Sequence, residues 1–154
     1  MLTIYVDADA CPVKEEVSRV ARRYQWNVIY VANSSMRIPD PDNAKLIVVE
    51  GLPDAADQWI AERVTPGDVV VTGDIPLAYH CIKKGAKALG STGHVFSEEN
   101  IGHLLATRDL MKELCDSGSV TGGGPPPFQK SDRSRFLHAL DQIIQDIKRK
   151  NPSS

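Results

Sequence analysis

Short apolar runs alternate with helical stretches along most of this chain, and this alternation limits the folds it can adopt. The apolar runs predict five β-strands, at 2–6, 26–32, 44–49, 68–72 and 86–89. Apolar residues at helical spacing predict helices between them, at 13–24, 54–64 and 76–84. Because strands separated by helices build parallel βαβ units, the predicted fold class is α/β. We expect a three-layer α/β/α domain with a mainly parallel five-stranded sheet.

The character of the chain changes after the fifth predicted strand. Two more helices are predicted, at 97–115 and 131–150. Between them lies a Gly/Pro-rich stretch at 117–130 that includes Gly122 to Pro127, where neither a helix nor a central strand is favoured. We therefore expect one domain over residues 1–150, with a loop at 117–130 and a frayed tail at 151–154.

Composition sets the class of protein. The chain has 154 residues, of which 42% are hydrophobic and 25% are charged, as in an ordinary globular domain. Its net charge of −2 provides no general positive field for binding nucleic acid. Any contact with a polyanion must therefore be local.

The cysteines and the N-terminus bear on the cellular compartment. Three cysteines without Cys-x-x-Cys or Cys/His spacing favour a reduced protein over a disulfide framework or a zinc site. The chain does not start with a basic segment and an apolar core, and no apolar run reaches the length of a membrane span. We expect a cytoplasmic protein that does not enter the membrane.

Acidic residues follow three of the predicted strands. Asp7 and Asp9 follow the first, Asp54 and Asp57 open the helix after the third, and Asp74 follows the fourth. The carboxyl ends of parallel strands lie at one edge of a sheet, so these side chains can converge there. If the fourth strand lies beside the first, Asp7 and Asp74 face each other at the topological switch point.

Converging carboxylates suit a hard divalent cation, Mg²⁺ or Mn²⁺. Such an ion polarises a phosphoryl oxygen and activates water, which points to hydrolysis of phosphoesters. Helix capping is the alternative for Asp54, Asp57 and Asp74, and Asp9 could cap the helix entered through Pro12. Asp7 ends a buried strand, where capping offers little gain, and is the strongest candidate ligand.

Several polar residues are candidates for holding the phosphate or ribose of a substrate. Lys130, Arg133 and Arg135 make the start of the last predicted helix positive, and helix N-termini bind phosphate. The other candidates are Lys14, Asn33 and Ser34, which follow the first two strands. A solvated charged surface and ordinary turn residues are the alternative interpretation of all six.

Four segments together resemble the bacterial YaiI/YqxD family, and the resemblance covers nearly the whole chain. They are Val6 to Lys14, Gly51 to Asp57, Val71 to Ala78, and Thr121 to Gly124 with the following stretch to Arg133. That family has no established function, so this resemblance identifies relatives rather than an activity.

A second resemblance is to PIN-domain and NYN-type metal-dependent ribonucleases. Asp7 matches their first-strand acid, Asp57 with Ile60 matches a helical acid, and Asp74 in Thr72-Gly73-Asp74 matches a later strand-end acid. The resemblance implies a PIN-like fold, a metal held by these acids, and RNA as the substrate. The chain departs from that pattern in lacking a clear match for a glutamate in an earlier helix, and Asp9 and Asp54 are additional.

Two other functions stay open at the level of sequence. Asp7-x-Asp9 after an apolar strand resembles the acid pair of haloacid-dehalogenase-like phosphatases, in which the first carboxylate attacks phosphorus. Against this, Ala10-Cys11-Pro12 replaces the usual turn after that pair. The second alternative is a non-catalytic PIN-like domain that binds RNA or protein. We predict a divalent-metal-dependent nuclease with Asp7, Asp57 and Asp74 as its catalytic residues.

Overall fold

The fold is taken from a computed structural model of the chain, which describes residues 3–51, 55–104, 106 and 129–150. In this part of the chain the strands are β1 (Thr3–Asp7), β2 (Asn27–Ala32), β3 (Ala44–Val48), β4 (Val69–Val71), β5 (Lys87–Leu89) and β6 (Val95–Phe96). The helices are α1 (Lys14–Tyr24), α2 (Ala55–Arg63), α3 (Ile75–Lys83), α4 (residues 98–104) and α5 (Lys130–Lys150). A 3₁₀ turn, Ala8–Ala10, joins β1 to the segment before α1.

The strands form one sheet in the order β3-β2-β1-β4-β5-β6. The first five strands are parallel, and β6 runs antiparallel to β5. The α/β class and the mainly parallel sheet are therefore confirmed. Because β2 and β4 flank β1 on opposite sides, the gap between the ends of β1 and β4 is the topological switch point.

The described part of the chain contains six strands, one more than the five predicted. The missed strand, β6, contains only Val95 and Phe96, which is too short to produce a recognisable apolar pattern. It forms because a tight turn brings the chain back along β5, with the Gly90 amide donating to the His94 carbonyl at 2.9 Å. Pairing with an existing edge, rather than local preference, creates this strand.

Alternation along β1 directs its side chains to opposite faces of the sheet. Ile4 and Val6 are fully buried in a core that includes residues of α1 and α5. Tyr5 packs into a second core that includes residues of α2 and α3. Helices therefore cover both faces, and the two faces of β1 belong to different cores.

A close backbone approach fixes the turn between β5 and β6. Gly93 has φ +88°, and a Cβ there would lie 2.7 Å from the backbone carbonyl carbon of Arg135 on α5. Only glycine fits this position without displacing backbone. The turn is thereby held against the first part of α5.

Some sequence predictions fall outside the described residues. The predicted loop at 117–130 does so except for its last two residues, of which Lys130 begins α5. The tail at 151–154 lies outside them too. So do residues 105 and 107–115 of the helix predicted at 97–115. Within the described part of the chain, no helix has both the length and the apolar character needed to cross a bilayer.

Candidate functional site

Asp7 is the last residue of β1 and is half-buried at the switch point. Since it is two residues beyond Tyr5, its side chain belongs to the face covered by α2 and α3. Val6 pairs with Val71 in the register of β1 and β4, so the residues that follow them, Asp7 and Thr72, lie opposite each other. The Thr72 hydroxyl accordingly donates a hydrogen bond to Asp7 Oδ2 at 3.1 Å.

Asp74 is held to the same threonine and also caps α3. Its backbone amide donates to Thr72 Oγ1 at 3.0 Å, and its Oδ1 accepts a hydrogen bond from the Leu77 amide at 2.9 Å. The alternative that Asp74 is an N-cap is therefore correct, but capping occupies only one carboxylate oxygen. Thr72 joins Asp7 and Asp74 in one hydrogen-bonded unit.

Asp57 lies in the first turn of α2 and approaches this unit from that helix. Its neighbours Ala56 and Ile60 are buried and anchor the helix, which leaves the Asp57 carboxyl half-buried and within hydrogen-bonding reach of both Asp7 and Asp74. The three sequence-predicted acids thus meet at one point. We call Asp7, Asp57 and Asp74 the carboxylate cluster.

Burial and neighbouring negative charges raise the pKa values of two acids of the cluster, Asp57 and Asp7. Burial, followed by the negative charges of Asp7 and Asp74, raises the pKa of Asp57 from its ordinary value of 3.8 to about 7. Burial also raises the pKa of Asp7, and the hydrogen bond from Thr72 opposes this effect. Near pH 7 the Asp57 carboxyl is therefore only partly ionised.

The carboxylate cluster consists of oxygen donors, which are the ligands that Mg²⁺ and Mn²⁺ prefer. Among the residues that the structure describes, however, no three His, Cys, Asp or Glu side chains stand ready as a group that would hold a metal ion. The Asp57 carboxyl is close enough to Asp7 and Asp74 for their negative charges to raise its pKa to about 7, so protons compete with a cation for this carboxyl near neutral pH. Binding a cation through Asp57 requires its carboxyl to lose its proton.

Asp9 lies at the rim of the cluster. Its exposed carboxylate accepts hydrogen bonds from the Asn33 amide, at 3.0 and 3.3 Å for the two oxygens. It therefore fastens the loop after β2 rather than capping α1, whose N-cap residue, Val13, has no side-chain cap. The charge of Asp9 contributes to raising the pKa of Asp7. Ser34 is exposed beside Asn33, and Asp54 lies outside the described residues.

Two basic candidates, Lys14 and Arg135, contact protein groups. Lys14 donates to the carbonyls of Ala8 and Cys11 at 3.3 and 3.0 Å, which stabilises the turn after β1. Arg135 pairs with Asp132 at 2.7 Å on the exposed start of α5, where Lys130 is also exposed. The role of these side chains in binding phosphate stays a prediction.

Arg133 connects α5 to the start of α1. Its guanidinium donates to the Pro12 carbonyl at 2.9 Å and to Glu16 Oε1 at 3.1 Å. The Glu16 side chain is 10% exposed, whereas that of Arg133 is 44% exposed. Part of the positive charge that the sequence assigns to this helix end is therefore neutralised by a buried carboxylate.

Thr72 is the site residue that sequence reasoning did not select. Its position, two residues beyond Val70 and two before Asp74, is the signal that could have identified it, because that spacing puts its hydroxyl on the face of Asp7.

Cys11, in contrast, offers no reactive thiolate near the acids. Burial raises the pKa of its thiol, which stays protonated at neutral pH.

Comparison with known proteins bears on the four segments quoted above. The family model described as "Uncharacterized BCR, YaiI/YqxD family" matches residues 5–146. The chain belongs to the YaiI/YqxD family. A UPF0178 protein of Parvibaculum lavamentivorans is 53% identical over 152 residues, covering 99% of both chains. UPF0178 protein Rru_A0086 of Rhodospirillum rubrum is 48% identical over 149 residues, which cover 96% of this chain and 99% of that protein.

A third YaiI/YqxD relative, a UPF0178 protein of Rhodopseudomonas palustris, is 54% identical over 150 residues and covers 97% of this chain and 91% of its own. These names assign no activity to the family. No solved structure is a significant match to the chain. The function of this YaiI/YqxD protein must therefore be argued from its site.

Proposed function

We propose that this YaiI/YqxD protein is a divalent-metal-dependent phosphodiesterase that cleaves RNA, with a fold related to PIN-like nucleases. The observation that carries the proposal is the meeting of Asp7, Asp57 and Asp74 at the β1/β4 switch point. Three half-buried acids repel one another there, which destabilises the fold when all are ionised. A cation removes that repulsion, so a metal site explains the arrangement better than capping does.

The donor set fits Mg²⁺ or Mn²⁺, because these ions take carboxylate oxygens and retain several waters. Asp7, Asp57 and Asp74 would hold the ion, with Asp9 and Asp54 as candidate auxiliary ligands. When bound, the ion would supply polarisation of a phosphoryl oxygen and an activated water for hydrolysis. The open sheet edge suits this chemistry, since ligands of α/β sheets bind at the carboxyl ends of strands.

Protein groups prepare the carboxylates for this role. The Thr72 hydroxyl orients Asp7 through Oδ2, and the Leu77 amide orients Asp74 through Oδ1, so each acid keeps a second oxygen for a ligand. Asp57, whose pKa is about 7, must be ionised before its carboxylate can bind a cation. Metal affinity and activity should therefore rise as pH increases through about 7.

The test compares substrates and metal ions with the purified protein. Labelled single-stranded RNA, DNA of the same sequence, a phosphodiester and a phosphomonoester are incubated with Mn²⁺, Mg²⁺ or EDTA. We expect cleavage of RNA that requires the divalent ion. Asp7→Asn and Asp74→Asn should lower the rate by at least about a hundredfold. In Asp74→Asn the side-chain oxygen that caps α3 is kept, so the loss in this variant would report charge rather than folding.

A matched control is Glu62→Gln, which removes an exposed carboxylate from the same helix as Asp57. Its cleavage rate should equal that of the wild type. Cleavage that survives both Asp7→Asn and Asp74→Asn would refute the proposal. Turnover of the phosphomonoester alone would support the haloacid-dehalogenase-like alternative, and RNA binding without cleavage would support the non-catalytic one. Either result contradicts a nuclease.

A further inference from the structure

A positively charged stretch begins directly after Asp74. Between Asp74 and Glu98 the chain contains no acidic residue, whereas it contains Lys83, Lys84 and Lys87. In a chain whose net charge is −2, this is a pronounced local asymmetry. Since Asp74 is the N-cap of α3, the stretch adjoins the carboxylate cluster.

The outer side of α3 is a continuous exposed stripe formed by Pro76, Tyr79, His80 and Lys83. Positions three and four apart lie on the same side of a helix, so these four residues are neighbours. The opposite side is buried and consists of Leu77, Ala78, Cys81 and Ile82. We call the four exposed residues the α3 stripe. It starts beside Asp74 and runs away from the cluster.

The chemistry of the α3 stripe suits a single-stranded nucleic acid. Tyr79 is 37% exposed, and the Lys83 ammonium lies 5.3 Å from the centre of its ring. Within the described residues, Lys83 forms no ion pair with a carboxylate, whereas Arg133 and Arg135 do. Lys83 thus lies over the Tyr79 ring without an ion pair, and proteins combine exposed aromatic rings with cations to bind successive nucleotides without sequence preference.

We propose that the α3 stripe binds single-stranded RNA, with Tyr79 stacking on a base and Lys83 contacting a neighbouring phosphate. This inference rests on the proposed function, since it gives the RNA substrate its path to the carboxylate cluster. Asp74 and Lys83 are nine positions apart, on the order of 13 Å along a helix. The stripe attracts the phosphates that the acidic cluster by itself repels.

The test measures RNA binding separately from hydrolysis. A fluorescein-labelled oligouridylate of about 12 nucleotides is titrated in EDTA with the full chain carrying Asp7→Asn, and anisotropy gives Kd. Adding Tyr79→Ala should weaken binding by about tenfold, whereas Tyr79→Phe should stay within about twofold because the ring is kept. Lys83→Gln should lower the slope of log K against log salt by about 0.7.

The chain offers a matched control for Lys83. Lys148 on α5 also lies over a tyrosine, 5.0 Å from the ring centre of Tyr24, but α5 packs on the other face of the sheet. Lys148→Gln removes the same charge and should leave RNA affinity unchanged. An equal loss in Lys148→Gln and Lys83→Gln would overturn the proposal, because it would indicate attraction by net charge alone.

Two other results would also overturn the role of the α3 stripe. One is wild-type affinity in Tyr79→Ala, and the other is absence of RNA binding by the parent protein. Tyr79, Lys83 and Lys148 are exposed, and circular dichroism of the Asp7→Asn parent and of each variant verifies folding. Because the titration contains no divalent ion, its outcome is independent of catalysis. Intact RNA binding here, with no cleavage in the metal-dependent assay, would refute the nuclease and leave the stripe supported.

Discussion

Replacing Asp57 with asparagine is expected to stabilise the metal-free protein at alkaline pH and to leave its stability in acid nearly unchanged. Burial and the charges of Asp7 and Asp74 raise the pKa of Asp57 from 3.8 to about 7 in the folded protein. Between those values the folded chain binds more protons than the unfolded chain does. The free energy of unfolding therefore falls as pH rises through this interval, and the loss is complete above pH 7.

The size of the effect follows from the pKa of Asp57. A change from 3.8 to about 7 corresponds to at most about 4 kcal/mol, because one pKa unit is about 1.4 kcal/mol. Asp57 is only half-buried, so solvent screening reduces this to about 2 kcal/mol. Asparagine has no proton to lose. At pH 8 the variant should exceed the wild type by about 2 kcal/mol, and at pH 4 the difference should be small.

Urea denaturation in EDTA at a series of pH values measures this difference. With a urea m-value of about 2 kcal/mol/M, the midpoint of Asp57→Asn should lie about 1 M above that of the wild type at pH 8. Glu62→Gln serves as the control, since its carboxylate is exposed on the same helix. Taking differences between variants cancels the titrations of groups that do not interact with Asp57.

The reasoning is refuted if the difference between Asp57→Asn and the wild type is constant from pH 4 to pH 8. A constant difference would mean that the pKa of Asp57 is not raised in the folded protein. Repeating the measurement at pH 8 with Mg²⁺ or Mn²⁺ adds a second check. An ion bound by the cluster at about 100 times its Kd should stabilise the wild type by about 2.7 kcal/mol and the variant by less.

Three further predictions concern stability. Arg133→Ala should lower the free energy of unfolding by about 2 kcal/mol, because it leaves the buried Glu16 carboxylate without its ion pair. Adding Glu16→Gln should recover much of this loss, as measured by urea denaturation. Additive effects of the two substitutions would contradict the pairing. Gly93→Ala should lower the free energy of unfolding by about 3 kcal/mol, measured by thermal unfolding, because its Cβ would clash with the Arg135 backbone. Gly102→Ala on α4 should instead raise it by up to about 1 kcal/mol, because open space surrounds that position. Thr72→Val should cost about 2 kcal/mol and Thr72→Ser far less, because only valine removes the hydroxyl between Asp7 and Asp74; equal losses would assign the effect to packing.

The repeating elements of the fold are predictable because their signals are local. Apolar runs and helical spacing identify β1 to β5 and α1 to α3, and each signal lies within the element itself. The meeting of Asp7 and Asp74 is predictable for a related reason. Both follow strands, and parallel strands end at one edge.

Other features depend on partners far away in the sequence. β6 exists because β5 offers an edge for its two residues. Arg133 is bound by Glu16, a residue 117 positions away, so the sequence around α5 indicates a free positive end that the fold partly neutralises. The acid-free α3, in contrast, keeps an exposed lysine on its outer side.

The sequence by itself determined the α/β alternation, the strand-end acids and the family, because each depends on residues close together or on their order along the chain. Only the tertiary structure decided that burial beside Asp7 and Asp74 raises the pKa of Asp57, that Thr72 joins two of these acids, and which cations are paired. Proton affinity and ion pairing depend on distances across several elements and on burial. Those quantities exist only once the sheet and its helices have packed.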